Sequence, residues 1–162
     1  MANFGLKIDG VDALLKVMDG IEQDMIAANI QAVRAGARQF IKGAKKRCPV
    51  GKEAREGGRY PHQPGNLKKS IKGKVLKVRN PGQAVAIVGP ETGKRAKHDG
   101  YYGYWVEYGT STAMPHPFMR PTEDEDKEKV NNVMALEYKK AIEGKLEKGK
   151  ALEALGDIIE GD

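Results

Sequence analysis

Cysteine and tryptophan are the scarcest residues in this chain of 162 residues, with one of each. The single cysteine, Cys48, can form no disulfide within the chain, which agrees with a reducing compartment. No apolar run approaches the roughly 20 residues that a membrane-spanning helix needs. The first ten residues lack the charged start and apolar core of a signal peptide. We therefore expect the protein to be cytosolic when it is made, without a membrane partner.

Patterns typical of metal binding and catalysis are also missing. His62, His98 and His116 have no metal-ligand spacing among themselves or with Cys48, which favours ordinary loop histidines. The chain contains neither a nucleophile elbow nor a phosphate-binding loop. We predict no metal, no cofactor and no catalytic residue, and hence no enzyme.

Glu107 is the one acid that stands among aromatic residues. A catalytic role is conceivable, but a hydrolytic pair needs a second carboxylate, and none is evident nearby. The favoured alternative is structural, with the Glu107 carboxylate pairing with Arg120 or with a backbone amide.

The net charge of +6 conceals two oppositely charged regions. Residues 42–79 contain 13 Lys/Arg and 2 Asp/Glu, a balance of +11, whereas residues 123–162 contain 7 Lys/Arg and 12 Asp/Glu, a balance of −5. These regions could neutralise each other within one chain or between neighbours, and the basic one could meet DNA phosphates. A solvated strand face is the ordinary explanation of the basic strip, and the functional alternative is DNA or an acidic partner, contacted by Lys68, Lys69, Lys72 and Lys74.

Apolar periodicity predicts one long amphipathic helix from Asp12 to about Lys46, with Pro49 ending the element. Gly20 is a candidate position for a kink or a cap between two helical pieces. Residues 3–10 read as a short strand or lead-in, because Phe4, Leu6 and Ile8 alternate with polar residues or glycine. Residues 49–66 form a long loop rich in glycine, proline and charge, and we expect its part 51–64 to be mobile.

Two short segments in the middle of the chain predict an antiparallel hairpin. Residues 67–79 alternate apolar and basic positions, which indicates a half-buried strand with lysines on the wet side. The turn Asn80-Pro81-Gly82 follows, and residues 83–89 form a second, more apolar strand. Residues 90–100 form a mobile loop or a short link to a further strand.

Residues 101–121 contain the only tryptophan and four of the six tyrosines. Alternation favours a strand over 101–108, whereas a helical turn would bring Tyr101, Trp105 and Tyr108 together. Proline restricts the backbone, so 114–120 is a stiff arm that costs little ordering entropy to dock. We interpret this stretch as a subunit or partner contact with Phe118 as its anchor; the contact residues are Tyr104, Trp105, Glu107, Tyr108, Pro117, Phe118, Met119 and Arg120.

A second long helix should follow the arm. Thr122 is the predicted N-cap, because four acidic residues come directly after it and suit the positive end of a helix. We expect the apolar positions of this helix to face the sheet; they are Val130, Val133, Met134, Leu136 and Ile142. We place one domain over residues 1–145, followed by an acidic tail over 146–162 that is a frayed helix or disordered.

Two blocks of this stretch resemble a bacteriophage tail-component family, typified by the tenth gene product of the lambdoid coliphage HK97. The first block is Val-Glu-Tyr-Gly-Thr at 106–110, and the second is Pro-Phe-Met-Arg-Pro at 117–121. Members usually have a short segment where this chain has Glu53 to Pro64, which looks like an insertion.

The resemblance implies a fold and a function. The fold is α+β, with an antiparallel sheet packed by the long N-terminal helix and by the later helix. The function is structural, in the neck or tail of a phage or prophage, where the protein completes the tail and joins it to the head. Such proteins assemble in the host cytoplasm into rings, with hexamers matching tail symmetry, and contact other neck and tail proteins of the virion. The alternative is a nucleic-acid-binding accessory protein that uses the basic region 42–79.

Overall fold

The computed structural model describes residues 11–52, 63–76, 83–93 and 96–159, with side-chain detail between residues 20 and 145. Its elements are α1 (Val11–Arg47), α2 (Asn66–Ser70), β1 (Ile71–Leu76), β2 (Val85–Pro90), α3 (Gly103–Tyr108) and α4 (Arg120–Ile159). β1 and β2 pair antiparallel. Two long helices with this small antiparallel sheet confirm the predicted α+β class. The predicted strand 3–10, the turn 80–82 and most of the loop 51–64 lie outside the described residues.

The two long helices pack against each other along a row of small residues on α1. Ala28 and Ala32 are each 4% exposed, and a Cβ added to Gly36 would lie 2.5 Å from Cγ of Met134 on α4. Small side chains let the two backbones approach closely, and the larger side chain of Met134 packs against the space at Gly36. α1 runs unbroken through Gly20, so the suggested kink or cap is not needed there.

The partner of α4 differs from the prediction. Its apolar positions pack mainly on α1 rather than on the sheet, and Leu136 remains 56% exposed. An ion pair of 2.6 Å between Lys145 and Asp24 also joins α4 to α1. The helix continues to Ile159, which favours the helical alternative for most of the predicted tail.

The hairpin lies on the C-terminal part of α1. Gly73 of β1 pairs with Val88 of β2, and a Cβ at Gly73 would lie only 3.0 Å from Cδ1 of Ile41. The first strand is shorter than predicted, because residues 66–70 form α2. This turn of helix follows Gly65, whose φ of 76° favours glycine, and it buries Leu67 and Ser70.

The core lies where α1, α2, β1 and the start of α4 meet. Its buried members are Ala44, Cys48, Leu67, Ile71 and Phe118. Burial raises the pKa of the Cys48 thiol to about 11, so the group stays protonated and acts as a small apolar side chain. The core therefore gathers residues between 44 and 118 around the last turns of α1.

Candidate interaction site

Residues 103–108 form the short helix α3, which decides between the two alternatives left by the sequence. Helical geometry is compatible with the tight packing of Gly103, where an added Cβ would lie 2.8 Å from Cγ of Pro90. Gly109 ends the helix with a φ of 79°, and its N–H donates to the carbonyl of Trp105 at 2.8 Å. The chain then reverses, and the amide of His116 donates to the carbonyl of Val106 at 2.8 Å. This reversal brings the beginning of α4 back beside α3.

Glu107 holds the beginning of α4 through both of its carboxylate oxygens, an arrangement that we call the Glu107 clamp. Oε2 accepts the amide N–H groups of Phe118 at 2.8 Å and Met119 at 2.9 Å. Oε1 accepts the amide N–H of Arg120 at 3.0 Å and its Nε–H at 3.3 Å. Nη2 of Arg120 also donates to the backbone carbonyl of Glu107 at 3.1 Å. The carboxylate thus satisfies N–H groups that have no partner within the helix.

The charge of the Glu107 clamp follows from its surroundings. Glu107 is only 4% exposed. Burial raises the pKa of its carboxyl group, but hydrogen bonds from the amides of Met119, Phe118 and Arg120 and from the Arg120 side chain outweigh burial, so the net pKa is lowered. Glu107 is therefore ionised at neutral pH with both oxygens occupied, as expected of a structural carboxylate and not of a proton donor.

A second polar contact fixes α4 to the end of α1. Arg47 donates to Asp126 at 2.7 Å and to Glu125 at 2.6 Å. Hydrogen bonds from Arg47 and then from Lys129 lower the pKa of Asp126 to about 2. Together with the Glu107 clamp, this contact orients the first two turns of α4.

Thr122 differs from its predicted role as the N-cap. It lies inside α4, and its hydroxyl donates to the carbonyl of Phe118 at 2.6 Å. The capping acceptor comes instead from Glu107, which is distant in sequence. No local pattern around Thr122 could have indicated that acceptor.

Phe118 lies in the core and not on the surface. Its side chain is 0% exposed and packs with Ala44, Cys48, Leu67 and Ile71. The ring cannot reach a partner in this conformation, which corrects the expectation of a contact anchor at this position. Met119 beside it is partly buried against the same core, whereas Pro117 is exposed.

Exposed aromatic side chains lie on the outer face of α3 and at Tyr101, two residues before it. We call Tyr101, Tyr104, Trp105 and Tyr108 the aromatic ridge; they are 39%, 68%, 49% and 53% exposed. The rings of Tyr101 and Trp105 meet edge to face at 5.9 Å, and those of Tyr104 and Tyr108 lie 4.8 Å apart. The guanidinium of Arg120 lies 4.7 Å from the ring centre of Tyr108. Because Arg120 also belongs to the Glu107 clamp, the ridge is attached to a rigid base.

An open groove of about 600 Å³ lies beside the aromatic ridge. Its lining is largely apolar and comes from α1, β2, α3 and the beginning of α4. The groove residues are Phe40, Ala86, Val88, Pro90, Gly103, Tyr104, Glu107, Tyr108, Phe118, Met119, Arg120 and Glu123.

The four lysines of the basic strip are exposed on two elements. Lys68 and Lys69 belong to α2, and Lys72 and Lys74 lie on the outward face of β1. Lys72 forms an ion pair with Glu91, which occupies one of the four charges. The strip belongs to α2 and β1, whereas the aromatic ridge belongs to α3 and to Tyr101 before it, so different substitutions can test the two candidate surfaces.

No cluster of three or more His, Cys, Asp or Glu side chains among the described residues could hold a metal ion. None of the described helices is both long and apolar enough to cross a membrane.

The described residues form a small α+β protein that exposes four aromatic side chains. A family model described as "Bacteriophage HK97-gp10, putative tail-component" matches residues 12–109. The chain belongs to this phage tail-component family. The matched region includes Glu107, whose carboxylate forms the clamp. It ends before the arm and α4, and the clamp attaches these two segments to the matched region. Comparisons with curated proteins and with solved structures returned no match.

Proposed function

We propose that this protein acts in the neck or tail of a phage or prophage virion, where it completes the tail and joins it to the head as a ring of identical subunits. The observation that carries the proposal is the aromatic ridge. In a tail-component family, four exposed aromatic side chains on a rigid base suit a permanent contact with another protein. Assembly takes place in the host cytoplasm, and six subunits match the symmetry of a tail.

The contact surface follows from exposure. Tyr104, Trp105 and Tyr108 supply exposed apolar area, and Pro117 with the 84% exposed Met114 extends it along the arm. Glu107, Met119 and Arg120 contribute indirectly. Their hydrogen bonds in the Glu107 clamp hold the ridge in position. Aromatic anchors of this kind carry a large share of the free energy of protein association.

Charge adds a second element to the proposal. The basic region 42–79 and the acidic region 123–162 give complementary surfaces for neighbouring subunits in a head-to-tail ring. Exposed ion pairs contribute about 1 kcal/mol or less each and are screened by salt. We therefore expect molar salt to slow ring formation, as followed by light scattering, and to leave formed rings largely intact.

Mass measurement of the assembled state tests the proposal. Wild-type protein should form a closed ring, and Trp105→Ala should weaken its assembly by about 2 kcal/mol. Leu136→Ala is the matched control, because Leu136 is a large apolar side chain that is 56% exposed on α4, away from the ridge. A wild-type protein that stays monomeric at all concentrations would overturn the ring.

The alternative function is nucleic-acid binding through the basic strip. Lys68, Lys69 and Lys74 are exposed, and no ion pair is described for any of them. DNA binding through such residues would weaken steeply with salt. A gel-shift series with Lys68→Ser/Lys69→Ser distinguishes the two functions. This change should abolish a DNA shift, whereas it should at most slow ring formation, because the ridge supplies most of the affinity between subunits.

A further inference from the structure

Neither outer edge of the small sheet has a strand beside it within the described residues, and the edge that concerns us is that of β2. β1 pairs with one side of β2, and the sheet contains only these two strands there. Ala86, Val88 and Pro90 of β2 line the groove described above. A strand added to the free edge of β2 would direct alternate side chains over that groove, as in strand addition to other open sheets.

The sequence contains one suitable strand among the segments outside the described residues. These segments are 1–10, 53–62, 77–82, 94–95 and 160–162. Only the first has three large apolar residues in alternation, Phe4, Leu6 and Ile8. In an added strand these three side chains would share one face, while Lys7 would point away from the groove.

Chain length decides which copy can supply this segment. α1 begins at Val11 and reaches the groove only at Phe40, a span of 29 residues or about 44 Å of helix. Three extended residues from Ile8 to Val11 cover only about 11 Å. The segment is therefore too far from the groove of its own chain and can fill only that of another copy.

We propose that residues 3–9 of one copy add as a strand to the free edge of β2 in a second copy, with Phe4, Leu6 and Ile8 over the groove. This inference rests on the self-assembly proposed above and adds a second contact to it, beside the aromatic ridge. Donor and acceptor surfaces differ, so each copy can give one strand and receive another. Such a heterologous contact closes into a ring when the rotation between subunits permits.

Binding of a labelled peptide tests the contact directly. The peptide spans residues 1–10, and the acceptor is the full chain carrying Leu6→Ser, whose own segment competes poorly. We expect saturable binding by fluorescence anisotropy. A Leu6→Ser peptide should bind about tenfold more weakly or worse, because it loses a buried leucine. A Lys7→Ser peptide is the matched control and should bind within about twofold of the unchanged one. Equal loss in both peptides, or no binding of the unchanged peptide, would overturn the proposal.

Cross-linking tests whether the contact joins two copies. Full chains carrying Leu6→Cys and Tyr104→Cys are mixed and treated with a short bis-maleimide. The native Cys48 is 5% exposed with a pKa raised to about 11, so it should react little. A linked dimer should form in the mixture and not with either variant alone. A double variant that yields internally linked monomers would contradict the reach argument.

The two proposals can fail separately. A wild-type ring whose assembly is unchanged by Leu6→Ser, with no peptide binding, overturns strand addition and leaves the tail function intact. Peptide binding and cross-linked pairs in a wild-type protein that forms no closed ring support strand addition and overturn the ring.

Discussion

The two sides of α3 differ in how far their side chains are buried by the rest of the chain. On the inner side, Glu107 is 4% exposed and both of its oxygens accept hydrogen bonds. On the outer side, Tyr104 is 68% exposed and Trp105 is 49% exposed. A helix of six residues thus anchors the fold with one face and presents aromatic area with the other. Substitutions on the inner side should affect stability, and those on the outer side should affect assembly.

Phe118→Ala should have the largest effect, on the inner side. Removing a ring that is 0% exposed leaves a cavity in the core, which costs about 3–5 kcal/mol of unfolding free energy. Urea denaturation followed by circular dichroism measures this loss. A folded variant with wild-type stability and impaired assembly would place Phe118 at a contact and remove the distinction between the two sides.

Glu107→Gln should have the next largest effect. The amide retains one acceptor oxygen, but its NH2 group faces either the amides of Phe118 and Met119 or the N–H groups of Arg120, and hydrogen bonds to a charged group are lost. We expect a cost of about 2 kcal/mol or more, measured by the same denaturation. Glu123→Gln is the matched control, since Glu123 is exposed in the first turn of α4. Equal, small effects of both changes would show that the clamp contributes little.

Acid should weaken the hydrogen bonds of Glu107 on the inner side of α3, whereas the aromatic side chains on the outer side carry no carboxyl group. The pKa of Glu107 is lower in the folded chain than in the unfolded one, so its contribution to stability is complete above the unfolded value and disappears as pH falls through the folded value. Asp126 behaves in the same way between its ordinary 3.8 and about 2. Unfolding free energy measured against pH should therefore fall on acidification, and less steeply in Glu107→Gln. Parallel curves for both proteins would contradict the assigned role of Glu107.

Tyr104→Ala should have the smallest effect on folding. The side chain is 68% exposed, and surface changes of this kind usually alter the unfolding free energy by less than about 0.5 kcal/mol. Assembly measured by mass should nevertheless weaken, as for Trp105→Ala. A stability loss comparable to that of Phe118→Ala would mean that the ridge belongs to the fold.

Much of the fold could be predicted from local patterns. Apolar periodicity predicted α1 within a residue or so of each end, alternation predicted the hairpin, and an acidic segment after prolines predicted α4. The site was less accessible to this reasoning. The pairing of Glu107 with Arg120 and with backbone amides was correctly favoured, whereas the roles of Phe118 and Thr122 were wrong.

The physical reason is that these roles depend on which distant segment the chain brings beside each residue. Spacing along a sequence reports which side chains share a face, but not what that face meets. At 103–108 the sequence allowed a strand or a helix. The helix agrees with the close packing of Gly103 on Pro90 and with the left-handed conformation of Gly109, and neither feature can be derived from local spacing. The same applies to residues 67–70, where a buried Ser70 and Leu67 accompany α2 and not a longer strand.

The sequence by itself determined the long helices, the hairpin and the membership of a phage tail-component family, because each depends on local periodicity or on short motifs. Only the tertiary structure decided that the two motif blocks meet through the carboxylate of Glu107. That contact requires the turn at Gly109 to bring the amides of Phe118, Met119 and Arg120 within 3.0 Å of a side chain eleven to thirteen residues earlier. The same turn buries Phe118 and leaves the aromatic ridge exposed, because the two faces of one short helix cannot both face the core.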